Sequence, residues 1–389
     1  MDSSVDHSHI PGHQSHSLSS PHFAGSHESH GDGHHKGLVT EVHQHKPHHV
    51  SVEGDIKILK TVELNSEGMC CKFSEDGEKM ALGLSNGDIK VYKAATGSCI
   101  YHLSDEDTKS DRLPVTSLNF VPKDLSSRGE LLIATYASGV IKFWHIETAT
   151  SLQTIHESCQ LLAASLSPSS LHLVVGGSSE QIYLYDVATG KKAGICAPSP
   201  NKLVMDGHRF RIFALKHYPI DDCTFLSGGW DDTIQIWDQR EEHSVRRIFG
   251  PHICGDGLDV DVKHGHILSA SWRKHDVLQV WDFKTGNRIK TIPPDFSGDS
   301  LLYCGQWLGK DHILCGGSEQ NIVRVIDKTT LATSGIISHL PSGVYSVDHD
   351  RNRLSRHHHH HGDVTMITAT AGNHLYFLSN APVVPKHEK

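Results

Sequence analysis

Seven times between residue 80 and the C-terminus, apolar residues alternate with polar ones in a short segment that ends on an aromatic or bulky apolar side chain. The segments are IKVYK from Ile89, IKFWHI from Ile141, IYLYDV from Ile182, IQIWDQ from Ile234, LQVWDF from Leu278, VRVID from Val323 and LYFLS from Leu375. Alternation of this kind marks a half-buried strand, because successive side chains of an extended chain point to opposite faces. Helical spacing is absent. A Gly- or Ser-containing turn precedes each segment and a plainer strand follows it, as β-hairpins require. Aligned on the bulky position, Tyr92, Trp144, Tyr185, Trp237, Trp281, Ile326 and Leu378 recur at intervals of 41 to 52 residues. A four-stranded repeat needs about 40 to 45 residues, and longer intervals imply longer loops.

The segment FLSGGWDDTIQIWDQR, Phe225–Arg240, with Gly207-His208 upstream, resembles the WD-repeat β-propeller family. The resemblance implies an all-β, seven-bladed propeller over residues 54–380, preceded by a His-rich tail at 1–53 and followed by a short tail at 381–389. It also implies a hydrogen-bonded tetrad inside the blade, matched by position to His208, Ser227, Asp231 and Trp237. Four buried polar groups are tolerable only if they satisfy one another. The fifth repeat keeps His252, Ser269 and Trp281 but has Trp272-Arg273-Lys274-His275 where the turn Asp belongs. Elsewhere Val175 and Cys315 stand at the Ser position and Asn86, Ser138 and Ser179 at the Asp position, so those blades are expected to rely on apolar packing. The last segment, HLYFLSNA, leaves no room for an outer strand before the end of the sequence. The family habit of joining both chain ends in one blade implies that GDIKILKTVEL, Gly54–Leu64, supplies it and removes an open edge.

Composition adds a tail to this picture. Thirteen of the 34 histidines fall in the first 50 residues among Ser, Gly and Pro, and such a segment cannot bury enough surface to offset the ordering of its chain, so it is expected to be disordered. Closely spaced imidazoles chelate Zn, Ni or Cu. The candidate ligands are His34, His35, His43, His45, His48 and His49, together with the internal run His357, His358, His359, His360 and His361 in RLSRHHHHHGD. A solvated low-complexity tail and an exposed basic loop are the competing readings, and no resident cofactor is expected. The nine cysteines show no C-x-x-C spacing and read as packing residues of a reducing compartment. No apolar run approaches 18 residues and the N-terminus is polar, so a cytoplasmic setting is expected, without secretion or membrane insertion. The net charge of −9 divides into −3 for the first 50 residues and −6 for the rest, which argues against nucleic acid as the main partner.

Binding is expected on the loops of one propeller rim, where blades four and five carry Arg209, Trp230, Trp272, Arg273 and Lys274. Arg and Trp are residue types that anchor interfaces. The leading reading is a non-catalytic scaffold or adaptor that binds proteins or peptides, a monomeric propeller within a larger complex. A second reading comes from the W-D-x-R ending, which resembles substrate receptors of cullin-type ubiquitin ligases; Arg240 would touch the ligase adaptor, with Asp231 and Asp238 shaping the turns. A third is transition-metal binding by the histidines. An enzyme is not expected, because nucleophile elbows, metalloprotease helices and phosphate loops are all missing. Two acidic clusters read as solvated: Asp105, Glu106 and Asp107 as a loop, and Asp256, Asp259 and Asp261 as the exposed face of a strand.

Overall fold

The computed structural model describes residues 50–122, 129–296, 298, 300–351 and 365–380. The alternating segments become third strands of seven antiparallel sheets. Blade one holds Gly68–Phe73, Lys79–Leu84, Ile89–Lys93 and Ser98–Leu103. Blade two holds Val115–Val121, Leu131–Tyr136, Val140–His145 and Thr150–His156. Blade three holds Leu161–Leu166, His172–Gly177, Ile182–Asp186 and Lys192–Cys196. Blade four holds Ile212–His217, Thr224–Gly229, Thr233–Asp238 and Arg246–Phe249. Blade five holds Leu258–Asp261, His266–Ala270, Leu278–Asp282 and Arg288–Ile292. Blade six holds Leu301–Leu308, His312–Ser318, Ile322–Asp327 and Thr333–Ser338. Blade seven holds Val344–His349, Thr365–Ala371 and His374–Asn380. First strands of successive blades pack side by side and the seventh returns to the first, so the ring is closed.

The repeat alignment is exact in register. Tyr92, Trp144, Tyr185, Trp237, Trp281, Ile326 and Leu378 stand opposite Met80, Leu132, Leu173, Phe225, Ile267, Ile313 and Ile367 of the neighbouring second strand. All seven are buried. The next blade covers the second face of each sheet, so polar positions of the alternation such as Lys142, Gln235, Gln279 and Arg324 are buried as well.

Closure uses two N-terminal strands. Ile56–Glu63 pairs with His374–Asn380 and completes blade seven, as the resemblance implied. Ser51–Gly54 adds a fifth strand to blade six, N-terminal to the boundary drawn at residue 54. The chain crosses from one blade to the next at Gly54, whose φ of 75° favours glycine; a Cβ there would stand 2.1 Å from the Ser334 carbonyl oxygen. SVEG has too little apolar alternation to be read as a strand.

The acidic clusters are only partly solvated: Glu106, Asp107 and Asp256 are exposed, while the others are engaged. Glu106–Asp111 forms an α-helix capped by Asp105, which accepts the Thr108 N–H at 3.0 Å. Asp105 and Asp107 hold the buried ammonium of Lys142 at 2.5 and 2.9 Å. Burial pushes the Asp105 carboxyl up, but Lys142 and Thr108 more than reverse it. In the second cluster Asp259 is buried, 2.9 Å from Lys216, and Asp261 pairs with His264 and Lys328. Only Asp256 is exposed. Alternation along one strand says which residues share a face; it cannot say that a neighbouring blade covers that face.

Candidate functional site

In blade four the polar side chains form one directed chain. Trp237 can only donate, and its Nε1–H reaches Ser227 Oγ at 2.7 Å. The Ser227 hydroxyl therefore donates to His208 Nε2 at 2.6 Å, and His208 Nδ1–H donates to Asp231 at 2.9 Å. Asp231 also accepts the Arg209 N–H and the Thr233 hydroxyl. Burial raises the Asp231 carboxyl, yet His208 and these donors leave it below the usual carboxylate range. The group is sealed and satisfied, so it braces the loops around it and presents nothing to a ligand.

Blade five keeps half of this arrangement. Trp281 Nε1–H reaches Ser269 Oγ at 2.9 Å, but His252 turns away and meets Asp232 at 2.6 Å, its ring lying over Trp230. The fifth repeat therefore lacks a tetrad histidine, because His252 is held by Asp232 of blade four's turn.

The rim residues divide by role. The Arg209 guanidinium donates to the carbonyls of Ser199, Asn201 and Val204, all in the loop that leads from blade three to blade four. Arg273 likewise donates to Gly250 O, Asp276 O and Gln279 Oε1. Both arginines, expected at the partner surface, brace the loops around them, because carbonyls left over at tight turns need donors. Trp230 donates to Cys254 Sγ and stacks on Phe213 at 5.1 Å, with Arg211 5.6 Å above the ring. Trp272 leans on Tyr303 at 6.4 Å, and Lys274 is exposed. Arg240 is 72% exposed and clasps both oxygens of Asp238, which lowers that carboxyl and raises the guanidinium.

Sequence reading missed what the Arg209 clamp displays. The loop it holds carries Leu203, 96% exposed, and Phe210, 61% exposed, beside Val204. Large apolar side chains grouped on a rigid loop mark contact surfaces.

It also missed the bulges of the first strands. Six first strands bulge near their start, at Met69, Thr116, Leu162, Phe213, Tyr303 and Tyr345. Paired glycines in the second strand make room: a Cβ on Gly229 would stand 2.2 Å from Arg211 O, and one on Gly317 2.3 Å from Leu301 O. Those glycine pairs were the available signal, since glycine inside a strand often marks a bulge. Three residues further along, polar side chains tie blade three to four, five to six, six to seven and seven to one. Ser165 Oγ accepts the His217 N–H, Asp259 the Trp307 N–H and Asp348 the Phe73 N–H, while Gln306 donates to Val347 O.

One of these ties is acid-sensitive. His217 is buried beside Ser165, and burial lowers its imidazole to about 4 despite nearby Asp222. A histidine held neutral in the fold contributes its full stability above about pH 6.5 and loses it as pH falls toward 4. Between pH 7 and 5 the wild type should lose about 2 kcal/mol more than His217→Gln. Urea unfolding at the two pH values checks this; equal losses would show that His217 is not the sensitive group.

Residues His34 to His49 and His357 to His361 lie outside the described residues, as do Arg353 and Arg356. Among the described residues no cluster of three or more His, Cys, Asp or Glu could hold a metal ion, and no helix is long and apolar enough to cross a membrane. All nine cysteines are free, four of them buried.

No family model matches the chain. Over 194 residues it is 28% identical to the THO complex subunit 6 homolog of Danio rerio, covering 45% of this chain and 54% of that protein. Over 235 residues it is 28% identical to the serine-threonine kinase receptor-associated protein of Gallus gallus, covering 56% and 61%. It is 23% identical over 209 residues to an uncharacterized WD repeat-containing protein of Saccharomyces cerevisiae, covering 51% and 50%. The chain thus spans between about half and three fifths of these relatives.

Proposed function

We propose that this chain, a seven-bladed propeller consistent with the WD-repeat family, is a non-catalytic scaffold that holds partner proteins on the rim of blade four. The observation that carries the reading is the clamped loop: three carbonyls on Arg209 keep Leu203 and Phe210 in solvent rather than letting the loop collapse onto the blade. Ordering the loop in advance removes an entropic cost of binding. Relatives named as a subunit of a complex and as a receptor-associated protein support a role in assembly. A Leu203→Asp/Phe210→Asp variant should lose at least about tenfold in affinity for rim partners at an unchanged melting temperature, as expected for hot-spot side chains. Quantitative co-purification tests this, and an unaltered partner profile would reject the reading. Arg209→Ala should weaken the same partners while leaving both apolar side chains in place.

A ligase-receptor role keeps one favourable observation, the exposed Arg240 guanidinium set in orientation by Asp238. Asp231 is buried in the tetrad and would act there only by bracing the turn. Co-precipitation of a ligase adaptor that vanishes in Arg240→Ala supports it; no association with the wild type dismisses it.

A further inference from the structure

We infer that Ser199 is a phosphorylation site for a proline-directed serine kinase, and that the phosphate takes Arg209 away from the loop it clamps. The consequence for partners rests on the rim reading above and supplies the regulation of that surface. Two Ser-Pro dipeptides fall among the described residues, Ser167-Pro168 and Ser199-Pro200. Ser167 is 2% exposed in a turn of blade three, where its hydroxyl meets Ser169 at 3.3 Å and accepts the His172 N–H at 3.1 Å. Ser199 lies outside any strand, half-buried, at the start of an exposed stretch that runs from Pro200 to Val204. Pro200 keeps Ser199 out of the helical region. The extended, solvated chain that a kinase cleft grips is therefore present at one dipeptide and absent at the other.

A phosphate on Ser199 arrives between two opposite charges. The Ser199 N–H donates to Asp206 Oδ1 at 3.0 Å, and the Ser199 carbonyl accepts the Arg209 Nη2–H at 3.0 Å. Arg209 Nη2 itself stands 3.6 Å from the same Asp206 oxygen. The guanidinium has a donor to spare: Nη2 serves the carbonyls of Ser199, Asn201 and Val204, whereas Nε is buried with no acceptor. Nε and Nη2 form one edge of the group, the edge with which Arg240 clasps both oxygens of Asp238. A phosphate carrying about −1.5 to −2 charges is a stronger acceptor than neutral carbonyls and fits that edge as a bidentate pair. It also repels Asp206.

What Arg209 releases is the turn that carries Leu203. The Asn201 and Val204 carbonyls lose their donor, and the turn keeps its internal bonds, from the Leu203 N–H to Asn201 Oδ1 at 3.0 Å and from the Val204 N–H to Asn201 O at 3.1 Å. On either side the chain stays anchored, by the Ala197 N–H on the Glu242 carbonyl and by the Ser244 N–H on the Asp206 carbonyl, both at 2.8 Å. The loop therefore opens between fixed ends and the blade remains folded. Leu203 is no longer presented in one place, and the advantage of a contact ordered in advance is lost. In the transfer itself the Ser199 Oγ–H bond and the terminal P–O bond of ATP break, a P–Oγ bond forms, ADP leaves and the kinase's base takes the proton.

The test treats the full chain with ATP and a mitogen-activated protein kinase, maps phosphates by peptide mass spectrometry, and follows trypsin cleavage after Lys202, which is exposed in the turn. The folded protein should gain phosphate at Ser199 and none at Ser167, and Ser199→Ala should lose that one modification. Phosphorylation should speed cleavage after Lys202 at least about tenfold, because cleavage follows the fraction of open loop. Unmodified Arg209→Ala should already be cleaved that fast, with no further gain on phosphorylation. A folded chain that takes no phosphate at Ser199, a phosphorylated chain cleaved no faster than the unmodified one, or a gain that persists in Arg209→Ala overturns the inference. The two readings fail separately: mapping and cleavage judge Ser199 and Arg209 with no partner present, and Leu203→Asp/Phe210→Asp judges the rim by co-purification.

Discussion

A chain from which Ser51–Glu63 has been removed is expected to lose cooperative unfolding or to melt at least about 10 °C below the intact protein, because two blades would be left open. Blade seven would keep three strands and lose a ladder that runs from Ile56 opposite Asn380 to Glu63 opposite His374. Blade six would lose the pairing of Ser51–Gly54 with Gly335–Ser338. Ile56 is fully buried and belongs to the cluster shared by blades six and seven, with Ile58 packed against it. Fully burying one such side chain contributes about 1.5–3 kcal/mol, and each backbone hydrogen bond about 1 kcal/mol net. The total is on the order of the whole stability of an ordinary domain. Calorimetry and size-exclusion chromatography on the two chains measure it. A melting midpoint within about 2 °C of the intact protein would mean that the ring does not depend on this closure.

Asp231→Ala should cost about 3–5 kcal/mol, the second largest effect, because it leaves the buried His208 ring, the Arg209 N–H and the Thr233 hydroxyl without their shared acceptor. Asp231→Asn, which keeps an acceptor oxygen, should cost less. Ser269→Ala in blade five should cost only about 1 kcal/mol, since there a single hydrogen bond to Trp281 is at stake. The Asp231 effect is also pH-dependent. A carboxyl held below its unfolded value stabilises the fold fully above about pH 4, and that contribution fades as acid protonates it. Denaturant titrations at pH 7 and pH 3 should therefore show wild type and Asp231→Ala drawing closer together in acid. A gap that stays constant would place the stabilisation elsewhere.

The strands were legible because apolar and polar positions alternate in the chain itself. Tyr92 through Leu378 could be aligned with no structure and all occupy one register. The blade-four side chains that hydrogen-bond to one another were legible because His208, Ser227, Asp231 and Trp237 stand at a characteristic spacing. Illegible were the residues whose role depends on a neighbour supplied by another blade. Asp259 alternates like a surface residue but is covered by Lys216 and Trp307. His252 sits where a tetrad histidine would and bonds across to Asp232. Arg209 and Arg273 have the composition of a contact surface, yet their donors go to carbonyls of the loops around them.

By itself, then, the amino-acid order determined seven strand-bearing repeats and the strand Ile56–Glu63 that completes the last. Periodicity and spacing are local properties, and they survive in the string of letters. Only the tertiary structure decided which polar groups tie neighbouring blades, which loop is held out into solvent and which carboxylates are covered. A bulge reverses the direction of a side chain without altering its residue type, and the charge that satisfies or abandons it arrives from a different blade.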